Sequence, residues 1–225
     1  MKKLLTSSLI LSMGMASAQQ ADPYTSLKKE IEQSIARGNN WLMEQQKAGG
    51  HWDDPGLPAF TALALNAIVR DPHFKKGKKF PEKVEQSFQW LLKQQKKDGG
   101  IYNRGLGAYN TATSVTAMMA AGRKDFEPAV VKARKYLIGS QWVAGEKGEA
   151  GNASEGGIGY GSDDSYTNLS STYLAIEALA LSESVVADGK YGDQPKLNYD
   201  AALKFLSSSR YSFLSWEAGE KNMAA

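Results

Sequence analysis

The 225-residue chain contains no cysteine. That excludes a disulfide framework and takes thiolate out of any nucleophile or metal-ligand argument. Histidine is almost as scarce, with only His51 and His73, which leaves little for an imidazole-based metal site; no metal and no cofactor is expected. Excess charge of one sign is missing too. There are 27 Lys and Arg against 24 Asp and Glu, so nothing calls for a nucleic-acid partner. The local exception, Lys75, Lys76, Lys78 and Lys79, reads as a solvated connecting loop punctuated by Gly77 and Pro81, with an anion-binding patch as the alternative. No apolar run is long enough to span a bilayer.

What is present at the start is a three-part pattern. Lys2 and Lys3 are followed by a short apolar run from Leu4 to Met15 and a small-residue site at Ala16-Ser17-Ala18. This is the form of a secretory signal over residues 1–18, with residues 19–25 as a linker. The expected location is outside the cytoplasm, periplasmic or secreted in a bacterium. Absence of cysteine is ordinary for a periplasmic protein. About 200 residues remain, enough for one sizeable core.

Those residues carry an internal echo. Trp41-Leu42 is followed by Gln46 and Gly50-His51-Trp52, and Trp90-Leu91 by Gln95 and Gly100-Ile101-Tyr102. A looser copy has Tyr136-Leu137, Gln141 and, after a longer insert, Gly157-Ile158-Gly159-Tyr160. A fourth opens at Phe205-Leu206 and loses the pattern, with Arg210 where glutamine is expected. Trp41 to Trp90 is 49 positions and Gly50 to Gly100 is 50. Such a period points to stacked supersecondary units, about 26–72, 81–123, 127–187 and a partial 198–210, with a tail over 211–225.

Within each unit two kinds of helix alternate. Leu27, Ile31, Ile35, Gly38, Leu42 and Gln45 fall at steps of three and four and predict an amphipathic helix over 26–47. Phe60 to Val69 is apolar nearly all round and must be covered on most sides. Val84, Phe88 and Leu91 mark the second amphipathic helix, and Asn110–Ala121 its apolar partner. Val130, Ala133 and Leu137 mark the third, followed by a Gly-, Glu- and Asp-rich loop and a helix over Leu169–Val186. Residues 198–209 begin a fourth. An all-α fold follows, in which inner helices sit inside a ring of outer ones: an α/α toroid, with a right-handed solenoid as the alternative.

The repeated stretch resembles the QW motif of the squalene-cyclase and prenyltransferase repeat superfamily. Arg37-Gly38, Trp41-Leu42, Gln46 and Gly50-His51-Trp52 follow that motif in order, and the likeness runs from about Ser26 to Arg210. The resemblance implies that Trp41, Trp90 and Tyr136 stack at helix junctions. It also implies that Gln46, Gln95 and Gln141 bond free carbonyls at the ends of outer helices, with Gly50, Gly100 and Gly157 at the turns. It implies an incomplete ring of about three and a half repeats. Either two such half-rings pair as a homodimer, or the chain is a truncated and marginally stable product, which the abrupt loss of the motif favours.

The chemistries known for that superfamily find little purchase. An alkene-protonating cyclase needs clustered acids in an Asp-x-Asp-Asp pattern. Asp53-Asp54, beside His51, are weak candidates, and a loop carboxylate pair is the plainer reading. The zinc site of the transferases and the thioester of complement-type proteins both need cysteine. What remains is a cluster at the entry of an inner helix: Asp163, Asp164, Tyr166, Asn168, Ser171 and Thr172. Together with the turn aromatics Trp52, Tyr102 and Tyr160, it makes a candidate ligand site. The alternative is that Asn168 merely caps its helix and the acids complement the helix dipole. The expected role is binding an apolar or isoprenoid-like molecule, or a protein segment. A divergent isoprenoid cyclase or transferase and a purely structural repeat module are the alternatives.

Overall fold

Glycine and proline set the ends of the helices. The computed structural model describes residues 23–77, 79–143, 154–161 and 167–208. The signal segment, most of the linker, Asp163, Asp164, Tyr166 and the tail therefore lie outside the described residues. The helices are α1 (Thr25–Gln45), α2 (Ala59–Val69), α3 (Glu82–Lys93), α4 (Gly107–Ala121), α5 (Glu127–Gly139), α6 (Leu169–Leu181) and α7 (Glu183–Val186). A single 3-10 turn precedes α5, and residues 199–208 form α8. Pro58 and Pro81 stand immediately before α2 and α3, where a fixed φ is an advantage. Gly122 ends α4 in the left-handed region, at φ 67, as a helix-terminating glycine does. Among the described residues there is no β-strand, and no helix is long and apolar enough to cross a membrane.

Helix α4 lies between α2 and α6, and these three form an inner row. α3 packs on α2, and α5 on α4. The core runs through the row: Leu65 and Val69 from α2, Val115 and Met118 from α4, and Leu179 from α6 are all buried, as are Phe88, Leu91 and Leu137 from outside it. The inner helices are less uniformly apolar than periodicity implies. α4 buries Thr111, Thr113, Ser114 and Thr116, and each hydroxyl donates to a carbonyl one turn back, at 2.7, 2.9, 2.7 and 3.0 Å. That internal bonding makes a polar helix tolerable at the centre of the fold. The helix expected over Leu169–Val186 breaks at Ser182. The Ser182 Oγ donates to Ala178 O, and the buried Arg134 guanidinium takes Leu179 O and Ser182 Oγ and pairs with Glu183.

Three glycine turns join the outer helices, and the same bonds occur in each. Lys47, Lys96 and Trp142 donate their backbone N–H to the carbonyls of His51, Gly100 and Gly157, at 2.9, 2.8 and 2.8 Å. Gly50, Gly99 and Gly156 hold φ of 82, 94 and 86, a region open to glycine and strained for other residues. At each, a Cβ would crowd the outer helix that comes next: Gln86 of α3, Lys132 of α5 and Ala201 of α8. The N–H groups of Trp52, Ile101 and Ile158 donate to Thr61, Thr111 and Thr172 in the first turns of α2, α4 and α6, at 3.1, 2.9 and 2.8 Å.

Two expectations are corrected here. The equivalent positions are Gly50, Gly99 and Gly156, one residue earlier than sequence alignment put them in the second and third copies. The counterparts of Trp52 are consequently Ile101 and Ile158, not Tyr102 and Tyr160. The glutamines also work differently. Gln46 donates to Lys83 O at 2.8 Å, Gln95 to Ala129 O at 2.8 Å and Gln141 to Asn198 O at 2.9 Å, all at the start of the following outer helix. They tie one helix pair to the next. The carbonyls at the end of α1 are met instead by the Trp52 indole on Leu42 O and by the Lys83 ammonium on Met43 O.

The outer aromatics divide. His51 stacks on Trp90 with ring centroids 5.2 Å apart, and Gly100 and Gly157 lie against the rings of Tyr136 and Phe205. Trp90 is half-buried against the core, and Tyr136 and Phe205 are buried. Trp41 is 60% exposed, and α1 buries no residue at all. The stripe expected to face the core is exposed at Leu27 and Ile31, while Leu42 near its other end is half-buried against the core. Each covered aromatic rests on the turn before it, and no described turn precedes Trp41.

Candidate functional site

Along the mostly buried α2, Phe60 and Leu63 remain open, at 40% and 45% exposure. They form one wall of a cleft of about 350 Å³ at the N-terminal ends of the inner row. Leu57 precedes them, Leu106 and Tyr109 come from the start of α4, and Tyr160 and Ser170 close the third side. The volume falls at the low end of the roughly 300–1,000 Å³ usual for small-molecule sites.

The cleft is braced by polar groups whose hydrogen bonds are spent within the protein, Asn110 of its lining among them. Asn110 is fully buried. Its Oδ1 accepts from Ala59 N–H at 2.8 Å, so it supplies the cap that α2 lacks. Its Nδ2 donates to the carbonyls of Gly105 and Leu106. Tyr160 O accepts from Ala108 N–H at 2.7 Å and fixes the loop to the start of α4. Leu106 is held at φ 48, a left-handed conformation that costs a branched side chain about 1–2 kcal/mol. Strain of this kind persists where surrounding contacts enforce it and clusters at working sites. With Asn110 committed, the polar atoms left on the cleft are the hydroxyls of Tyr109, Tyr160 and Ser170. The ends of α2 and α4 are thereby stoppered from within the protein, so neither offers a row of free N–H groups to an anion.

No family model matches this chain, and no curated protein does either. What the chain does has to be read from its own geometry.

Of the residues expected to bind a ligand, Tyr160 lies on the cleft. Trp52 is buried in the core with its indole spent on Leu42 O. The Thr172 hydroxyl is fully buried, bonded to Ile158 and Asn168. Tyr102 is half-buried, its hydroxyl donating to Asp98 at 2.7 Å. Asn168 caps α6, accepting from Ser171 N–H at 2.8 Å, which is the plainer of its two readings. Phe60 and Leu63 carry no distinguishing signal because an exposed apolar side chain in a nearly all-apolar helix has the same sequence signature as a buried one, and Leu57, Leu106 and Tyr109 belong to no local pattern that links them to the cleft.

The acid candidates stand apart from the cleft. Asp54 accepts from Gly56 N–H at 2.7 Å and pairs with Arg104. First the Gly56 N–H and then the Arg104 charge hold its carboxyl below the ordinary carboxylate range. An alkene-protonating acid needs the opposite shift, because it must stay protonated until it reacts. Asp53 is exposed at φ 48. His51 packs on Trp90, and its Nδ1 is buried without a hydrogen-bond partner. The Asp54–Arg104 pair works as a clasp: Arg104 N–H also donates to Gly56 O at 3.1 Å, and Asn103 Nδ2 to Pro55 O at 2.9 Å.

Proposed function

We propose that this chain is an exported helix-pair repeat protein of the squalene-cyclase and prenyltransferase type, a partial α/α toroid that binds an apolar, isoprenoid-like molecule without transforming it. The observation that carries the reading is the cleft at the ends of α2, α4 and α6, where Phe60 and Leu63 stay open on a helix whose other apolar residues are mostly buried. A chain of isoprene units suits such a wall: it gains about 25 cal/mol for each Å² of apolar surface removed from water. The hydroxyl-bearing lining residues Tyr109, Tyr160 and Ser170 suit a single polar end group. The repeat reading draws on the threefold bond pattern of the glycine turns. The lowered pKa of Asp54, which keeps its carboxyl ionised, argues against the cyclase alternative, and the core position of Trp52 moves the site away from the turns.

The test is a titration of the purified chain with farnesol, an isoprenoid alcohol, followed by calorimetry. Binding is expected, and Leu63→Asp should weaken it by about a hundredfold, since a carboxylate buried against an apolar ligand is heavily penalised. Asp53→Asn and Asp54→Asn should leave it unchanged. Binding that survives Leu63→Asp but vanishes in either Asp variant would move the site to the first glycine turn and revive the catalytic reading.

A further inference from the structure

Each covered outer helix meets the turn before it through the same positions, counted back from its aromatic. Seven residues before Trp90, Tyr136 and Phe205 stand Lys83, Ala129 and Asn198, whose carbonyls take the glutamine amides. Four before stand Gln86, Lys132 and Ala201, against which the left-handed glycines press. Three before stand Ser87, Ala133 and Ala202, small and buried. The spacing comes from the helix, since these offsets fall on one face at 3.6 residues per turn.

Helix α1 carries the same set: Ser34, Arg37 and Gly38 stand seven, four and three residues before Trp41. Here no other described residue covers these positions. Ser34, Arg37 and Gly38 are exposed, and a Cβ on Gly38 would meet no atom within 4 Å. Leu27 and Ile31, exposed at 53% and 50%, extend the face toward the helix start. With Trp41 they fall within roughly 100° of the helix surface. An apolar stripe of this length is rarely left to water.

We infer that this face of α1 is a docking surface for a helix end that carries an aromatic, a glutamine five residues on and a left-handed glycine beyond it, four residues on in the first two junctions and fifteen in the third, presented by another polypeptide built from the same helix pairs. The three internal junctions establish the kind of occupant. The chain's own turns of this kind are all seated on α3, α5 and α8. Five residues after Phe205 the chain has Arg210, and four further Leu214, so a second copy of this chain does not present the required turn. Nor do residues 1–22, where Gly14 and Met15, not an aromatic, stand five residues before Gln19 and Gln20. The inference rests on the junctions alone and is independent of the cleft.

The probe is a chimera in which residues up to Leu206 are followed by residues 92–123, since Phe205-Leu206 occupy the place of Trp90-Leu91. It completes a further helix pair and leaves a Gln95–Gly99 turn unseated. Mixed with the full chain, it should form a complex in sedimentation at micromolar concentration. Trp41→Glu or Gly38→Arg in the full chain should weaken that complex by about tenfold or more, as loss of a central anchor does, with helix content unchanged by circular dichroism. A chimera that gains helix yet forms no complex overturns the inference. So does a complex indifferent to both substitutions. Wild-type chain that self-associates through Trp41 would assign the face to a second copy and overturn it as well. If the chimera does not fold, a second variant decides: one period, residues 33–81, is inserted again after Pro81, placing an α1 face behind a Gln46–Gly50 turn. A single unfolding transition with a steeper denaturant dependence supports the inference, and a separately melting insert contradicts it.

Discussion

At the residue scale the glycine turns separate positions that look alike in sequence. Gly99 sits at φ 94 with its Cα facing the Lys132 carbonyl. Gly99→Ala should therefore lose about 3 kcal/mol in urea denaturation, combining left-handed strain with overpacking. Gly38, inside α1 with open space around it, should do the reverse: Gly38→Ala gains about 0.5–1 kcal/mol of helix propensity. The same method tests the threonines. Thr111→Val keeps the shape but leaves the buried Ile101 N–H unpaired, and a loss of about 1–3 kcal/mol is expected; a neutral result would mean that N–H has another partner. The Asp54–Arg104 clasp gives a pH signature. Its carboxyl is held below the ordinary range in the folded chain, so its contribution is present above the unfolded value and lost as pH falls through that range. The stability difference between wild type and Asp54→Asn should shrink on acidification. A difference that grows would show that the carboxyl is not held ionised by folding.

At the scale of elements, the outer helices are not equivalent. Trp90→Ala should destabilise by about 3 kcal/mol, at the low end for a core aromatic because the ring is half-buried. Trp41→Ala should change the stability of the isolated chain by less than about 0.5 kcal/mol, like other exposed positions. Equal losses would mean that α1 is covered in solution. Sequence made the helices legible through their apolar spacing, and Pro58, Pro81 and Gly122 stand at the observed ends. It could not tell which stripe of α1 was covered, because periodicity reports that a face is apolar and not what lies against it. The turns were legible as turns but misread by one residue. In Asp98-Gly99-Gly100 the two glycines are interchangeable on paper, and only the approach of Lys132 distinguishes them. Thr61 and Thr111 look like filler in apolar helices and Thr172 like a ligand-site residue, although each receives the same N–H. The break at Ser182 was invisible because its cause, Arg134, comes from a helix 45 or more residues earlier in the chain.

At the scale of the whole molecule, the threefold junction and the inner row arrange what the chain can offer to others. The row brings the starts of α2, α4 and α6 to one side, and the cleft forms where they meet. Its polar bracing by Asn110 and the Tyr160 carbonyl keeps that wall apolar, and the left-handed Leu106 belongs to the same arrangement. Only Tyr160 of this site could be picked out beforehand, since the cleft is made by neighbouring helix ends that no local pattern connects. The central claim is that an apolar, isoprenoid-like molecule occupies this cleft. Mass spectrometry of organic-solvent extracts from the purified chain and from its Leu63→Asp variant tests it most directly. The account predicts a near-stoichiometric apolar compound from the wild type and its loss from a variant with unchanged helix content; equal recovery from both would contradict it.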